Sequence, residues 1–97
     1  MGRGPRFDFE WDSRKARANL DKHGVSFEEA AGIFLDPHAR SLFDQLHADR
    51  EERWITLGEA RSRRLVVANH TFEELGRDRF RVRIISARRA TKRERRD

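Results

Sequence analysis

The sequence predicts an α+β fold, with two N-terminal helices packed on a four-stranded antiparallel sheet and a basic helix at the C-terminus. Three observations carry that expectation. Helix punctuation is concentrated in the first third of the chain, the hydrophobic period changes to 2 after Pro37, and the last ten residues are helical in composition with almost no apolar face. The period-2 segments follow one another through short connections, which favours an antiparallel meander with the helices on one face. A chain of 97 residues, 36% apolar and 40% charged, suits one small domain with a thin core partly covered by charged stems.

Met1–Arg6 is rich in Gly and Pro and reads as a flexible leader, leaving residues 7–97 as the single domain. Phe7, Phe9 and Trp11 alternate with Asp8 and Glu10, as in a short extended segment. Asp12 suits a helix N-cap and Gly24 a C-terminal cap, with Lys22 and His23 placed where cations favour the helix dipole. The first helix is therefore expected over Ser13–His23. Ser26 and Glu29 have the spacing of a capping box, and Val25 stands where it can staple against Ala30. Phe27, Ala30, Ala31 and Phe34 recur at helical spacing until Asp36-Pro37 stops the second helix.

Strands are expected over Ala39–Leu46, Glu52–Leu57, Leu65–Thr71 and Phe80–Ser86, with turns at Gly58–Ser62 and around Glu73–Asp78. In the last strand Phe80, Val82 and Ile84 face one way and Arg81, Arg83 and Ile85 the other. Trp11 and Trp54 are assigned to the core. Ala87–Arg96 forms the basic helix.

The net charge of +5 is unevenly placed. From Arg77 to Asp97 ten basic residues face three acidic ones, a net +7, whereas Met1–Gly76 carries twelve against fourteen, a net −2. Nine of those ten cations are Arg, whose planar fork grips phosphate and stacks on bases. That concentration points to a polyanion, foremost nucleic acid. A solvated charged tail or a docking surface for an acidic protein fits the same charge.

Several chemistries are excluded. The sequence has no Cys, hence no disulfide, thiolate zinc site or thiol nucleophile, and no Tyr, hence no phenol in catalysis. His23, His38, His47 and His70 are scattered without metal-ligand spacing, so no metal is expected. Phosphate-binding glycine loops are missing too, and with them any expected nucleotide cofactor. No apolar run approaches the ~18 residues of a membrane span and no signal peptide follows Met1, so a cytoplasmic location without a membrane partner is expected.

What remains is acid–base chemistry on a phosphodiester, which needs a base for the 2′-OH, an acid for the leaving 5′-oxygen and cations for the developing charge. His47, just ahead of Glu51, Glu52 and Arg53, is placed to move protons. Arg53, Arg64, Arg83 and Arg88 can clamp the phosphate. On the alternative reading, His47 belongs to a turn and these arginines pair with glutamates across strands.

Phe9-Glu10-Trp11-Asp12, Lys15-Ala16, Asn19 and the block from Lys22 to Ala30 (KHGVSFEEA) resemble the opening of the BrnT toxins. The likeness runs through Phe34, Asp36-Pro37, Asp44, His47, Glu51-Glu52-Arg53-Trp54, Gly58, Arg64-Leu65 and Val67, and closes on Arg83–Thr91 (RIISARRAT). This resemblance implies a RelE-like α+β fold and a type II toxin that cleaves RNA to inhibit translation. It also implies a BrnA-like antitoxin with a ribbon-helix-helix DNA-binding part, so that operator DNA is met only through the antitoxin. Carried onto matching positions, His47, Glu52, Arg53, Arg64, Arg83 and Arg88 are the candidate catalytic residues, acting without metal or cofactor. Arg81, Arg89 and Lys92, the neighbouring cations of the strand and tail, are expected to bind RNA. Arg63 stands where the family commonly has Gly, which bears on the hairpin there.

Overall fold

The structure is a computed structural model and describes residues 4–47 and 52–96. Strand β1 (Arg6–Glu10) leads into helix α1 (Ser13–His23) and the short helix α2 (Phe27–Ala31), followed by a 3-10 turn over Gly32–Leu35. Strand β2 (Arg40–Phe43), a 3-10 turn at Gln45–His47, and strands β3 (Arg53–Glu59), β4 (Leu65–Thr71), β5 (Glu73–Gly76) and β6 (Arg79–Arg89) come next. Helix α3 (Lys92–Arg96) closes the described chain. The strand order is β1-β6-β4-β3-β2, with β5 also paired to β6.

Both N-terminal helices begin as their sequences dictate. The Asp12 carboxylate accepts from the amides of Arg14 and Lys15 at 2.8 and 3.1 Å, and the amide of Gly24, at φ +70°, closes α1 onto the Leu20 carbonyl. The Ser26 hydroxyl accepts from the Glu29 amide at 2.9 Å. Helix α2 is shorter than its apolar spacing predicts, because the chain tightens into the 3-10 turn that buries Ile33 against β3. Gly58 permits that approach: a Cβ there would lie 3.0 Å from Ile33 Cβ and 3.2 Å from Ala39 Cβ. It therefore belongs to the buried part of β3 rather than to the turn.

The meander β6-β4-β3-β2 is present, but the sheet has six strands rather than four. Phe7 and Phe9 have nowhere to bury unless they join it, so β1 lies parallel to β6 with Phe7 opposite Phe80 and Phe9 opposite Val82. It starts at Arg6, one residue inside the expected leader. Strand β5 continues β4 past Phe72 and turns back into β6 through Arg77 and Asp78. Strand β2 covers only four residues of the expected Ala39–Leu46.

The expected C-terminal helix is also corrected. Ala87, Arg88 and Arg89 extend β6, since pairing with Ala68, Val67 and Val66 outweighs their helical composition, and only Lys92–Arg96 is helical. Within β6 the register shifts by one residue: Asn69 pairs Ser86 while His70 pairs Ile84, so Ile85 is bulged. Ile84 and Ala87 consequently both face the core, at 1% and 2% exposure.

That core lies between the sheet and the two helices and gathers Val25, Phe27, Ala30, Ile33, Val66, Ala68, Val82 and Ile84, with Trp11 packed edge-on against Phe27. Beyond β1, the edge of β6 at Ala87 is covered by a side chain. Buried Asn19 gives its amide to the carbonyls of Ala87 and Val25 at 2.8 and 3.0 Å and accepts from the Ala87 amide at 3.0 Å. This single Asn ties α1 and the turn after it to the sheet.

Candidate functional site

Strand register sorts the arginines into two groups. In β6 the residues alternating with half-buried Phe80 and buried Val82 and Ile84 are Arg81 and Arg83, and beyond the bulge the residue beside buried Ala87 is Arg88. Arg53 stands opposite Thr71 on the same side, with Leu57 opposite both Val67 and Arg40. This open face, the one not packed on α1 and α2, thus brings together Arg53, Arg81, Arg83 and Arg88 across β3 and β6. Sequence reading named those four and left out Arg40, which lies on the same face.

Two of the open-face cations, Arg81 and Arg88, are held by carboxylates. Arg81 pairs with Glu73 at 3.0 Å and Glu10 at 3.8 Å. Arg88 forms a two-pronged pair with Glu94 at 2.8 and 2.9 Å, and the same carboxylate accepts from the Thr91 amide at 2.8 Å to cap α3. Glu94 is pushed down to about 2 by the Arg88 hydrogen bonds and the Thr91 amide. Arg83 is half-buried, and its backbone amide donates to the Thr71 hydroxyl at 3.1 Å. Of the four arginines considered for cross-strand pairing, Arg88 instead meets a glutamate of a helix, and the cross-strand pair belongs to Arg81. Pairs this exposed contribute only about 0.2–1 kcal/mol, so an incoming phosphate can replace a carboxylate.

His47 lies at the Arg53 end of β3, where the Asp44 amide donates to the Arg53 carbonyl at 2.7 Å. Its Nδ1 is 2.9 Å from the Asp44 carboxylate and its side chain is 65% exposed. A carboxylate only accepts, so Nδ1 carries a proton, and in the neutral ring the lone pair is on Nε2. Glu51, named beside it, lies outside the described residues.

The remaining candidates sit elsewhere. Glu52 alternates with Arg53 and accepts from the Trp54 indole at 3.2 Å, away from the open-face arginines. Arg64 belongs to the helix layer. Its Nε donates to Glu29 at 2.8 Å, its Nη2 reaches the other Glu29 oxygen, and the same nitrogen donates to the Gly24 carbonyl at 2.9 Å. This grip lowers the Glu29 pKa and raises that of Arg64. Arg89, opposite buried Val66, turns to the same side and adds its charge to the field on Glu29. Lys92 is exposed on α3. Among the described residues no group of three or more His, Asp or Glu could hold a metal, and no helix is long and apolar enough to cross a membrane.

Comparison with known proteins adds three findings. Residues 11–94 match the model of one protein family, described as ribonuclease toxin, BrnT, of type II toxin-antitoxin system. The 1.1 Å crystal structure of the Brucella abortus ribonuclease toxin BrnT is similar in fold, with a TM-score of 0.60 and 23% identity over 90% of this chain and 99% of the other. No curated protein matches the chain significantly.

Proposed function

The chain belongs to the BrnT family of ribonuclease toxins of type II toxin–antitoxin systems, and from that premise we propose that it cleaves RNA without a metal ion on the open face of its sheet. Its partner in such a system is a protein antitoxin. The observation that carries the proposal is the one-sided placement of Arg53, Arg81, Arg83 and Arg88, with the Asp44–His47 pair at the end of β3.

In the proposed reaction His47 Nε2 takes the proton of the 2′-hydroxyl as that oxygen attacks phosphorus. The bond from phosphorus to O5′ breaks, and a protonated group or water gives O5′ a proton, leaving a 2′,3′-cyclic phosphate and a 5′-hydroxyl. Asp44 holds the imidazole in the tautomer that this step needs. Arg53, Arg83 and Arg88 stabilise the charge that builds on the phosphorane oxygens, and Arg81 and Lys92 hold the flanking backbone. Arg64, Arg89 and Glu52 are left out because they lie off the open face. The antitoxin is proposed to be BrnA-like, with a ribbon-helix-helix part through which the pair reaches operator DNA. Cleavage of messages in the cytoplasm would stop translation.

Purified protein should cut RNA in the presence of EDTA, and Arg83→Ala and His47→Ala should abolish cutting while leaving the fold intact. Unchanged cleavage in both variants would remove this site. RNA bound tightly in low salt yet intact after long incubation would replace the nuclease with a binding module.

A further inference from the structure

On the helix side of the sheet the packed core stops short near β2 and β5. Phe34, Trp54, Phe72 and Phe80 wall a groove of about 290 Å³ there, with Ser41 and His70 at its polar end. An adjoining hollow shares Trp54, Phe72 and Phe80 and is bordered by Glu52, Glu73 and Glu74. In a chain of net charge +5, this is an aromatic site with an acidic mouth.

The protons at its polar end can be placed one by one. His70 Nδ1 lies 2.8 Å from the Thr71 carbonyl, which only accepts, so Nδ1 carries hydrogen. His70 is 2% exposed, and burial lowers its pKa and favours the neutral ring. Nε2 then accepts from the Thr56 hydroxyl at 2.6 Å. With that proton committed, the 2.7 Å bond between Ser41 and Thr56 must be donated by Ser41. Ser41 Oγ is left with lone pairs only. Glu52 accepts from Trp54 and Glu73 from Arg81, and both keep lone pairs for further donors.

Aromatic walls, an acceptor at one end and carboxylates at the mouth repel phosphate and suit a flat cation that only donates. Arginine meets all three conditions: its guanidinium lies on aromatic faces, pairs with carboxylates and has no acceptor. We propose that this groove receives an arginine side chain of the antitoxin. Of the open-face arginines Arg81 touches the site, through Glu73, while Glu52, Glu74 and the aromatic walls lie apart from the proposed catalytic arginines, so the antitoxin's grip on the toxin is largely separable from its occlusion of the RNA face.

The test follows the Trp54 indole N–H by NMR in isotope-labelled Arg83→Ala protein titrated with N-acetyl-arginine amide, N-acetyl-citrulline amide and uridine monophosphate. The arginine compound should shift that signal saturably, with the uncharged citrulline compound roughly fivefold weaker and the nucleotide without effect there. Glu74→Gln should weaken the arginine compound about threefold. In the complex with the cognate antitoxin the same signal should move and exchange more slowly with solvent. No saturable shift, equal binding of citrulline, or a Trp54 signal unchanged in the complex would each overturn the proposal. None of these results touches RNA cleavage, and failure to cleave RNA in EDTA leaves the arginine site standing.

Discussion

On the helix side of the sheet Arg64 grips Glu29 and the Gly24 carbonyl, and Arg89 lends its charge to the same carboxylate. On the open side Arg53, Arg81, Arg83 and Arg88 share a face of β3 and β6, and those whose carboxylate partners are seen meet them near solvent. The residue type is the same in both places. What differs is strand parity: one side aims the guanidinium at a half-buried carboxylate that must stay paired, the other at solvent where phosphate can arrive. Arginines of the first kind contribute to the fold, and those of the second kind to the proposed chemistry.

The largest effect that would sharpen this contrast is catalytic. Arg83→Ala should lower RNA cleavage at least about 100-fold, the scale of losing one charge-stabilising donor, with little change in thermal midpoint. Comparable activity at equal folded fraction would break the contrast on the open side. On the helix side, Arg64→Ala should cost about 2 kcal/mol in denaturant unfolding, because it removes the charged hydrogen bonds to a half-buried carboxylate and leaves Glu29 with the Ser62 hydroxyl. Its cleavage rate per folded molecule should stay near wild type.

A pH dependence follows from the same pair. The Arg64 hydrogen bonds hold Glu29 below its ordinary value of 4.5, so its stabilisation is complete above pH 4.5 and is lost as pH falls through the lower folded value. Glu94 behaves alike down to about 2, with a smaller share because its pair with Arg88 is more exposed. Acid titration should therefore destabilise the wild type below pH 4.5, and Arg64→Ala should show a shallower slope there. Equal slopes would mean that Glu29 gains nothing from Arg64.

The smallest effect lies in the hairpin between β3 and β4. Arg63 sits at φ +75° in a turn closed by its amide donating to the Ala60 carbonyl at 2.9 Å, a left-handed position where glycine carries no Cβ penalty. Arg63→Gly should raise stability by about 1 kcal/mol without altering cleavage, read from the denaturation midpoint.

Local signals in the sequence were sufficient for the helix starts, both caps, the period-2 strands and the outward turn of Arg81 and Arg83. What they missed was long-range. Phe7 and Phe9 alternate visibly, yet their parallel pairing with β6 joins the first strand to the last across both helices and four intervening strands, which no local pattern encodes. The bulge at Ile85 resets parity in β6, and with it the side on which Arg88 and Arg89 emerge. Arg64 and Glu29 are 35 positions apart, so spacing could not reveal their pairing. Composition favoured helix from Ala87 onward, and strand pairing overrode it for three residues. Asn19 was visible only as part of a family likeness, since a buried side-chain amide serving a strand edge leaves no periodic trace.

Arg88 and Arg89 are neighbours in sequence, alike in chemistry and opposite in face. The most direct measurement is therefore the cleavage rate of one oligoribonucleotide in EDTA by Arg88→Ala and Arg89→Ala at matched folded fraction. Cleavage lost in Arg88→Ala, by at least about 100-fold, and retained within about threefold in Arg89→Ala is the predicted result. Equal loss in both, or greater loss in Arg89→Ala, would contradict the division of the two faces.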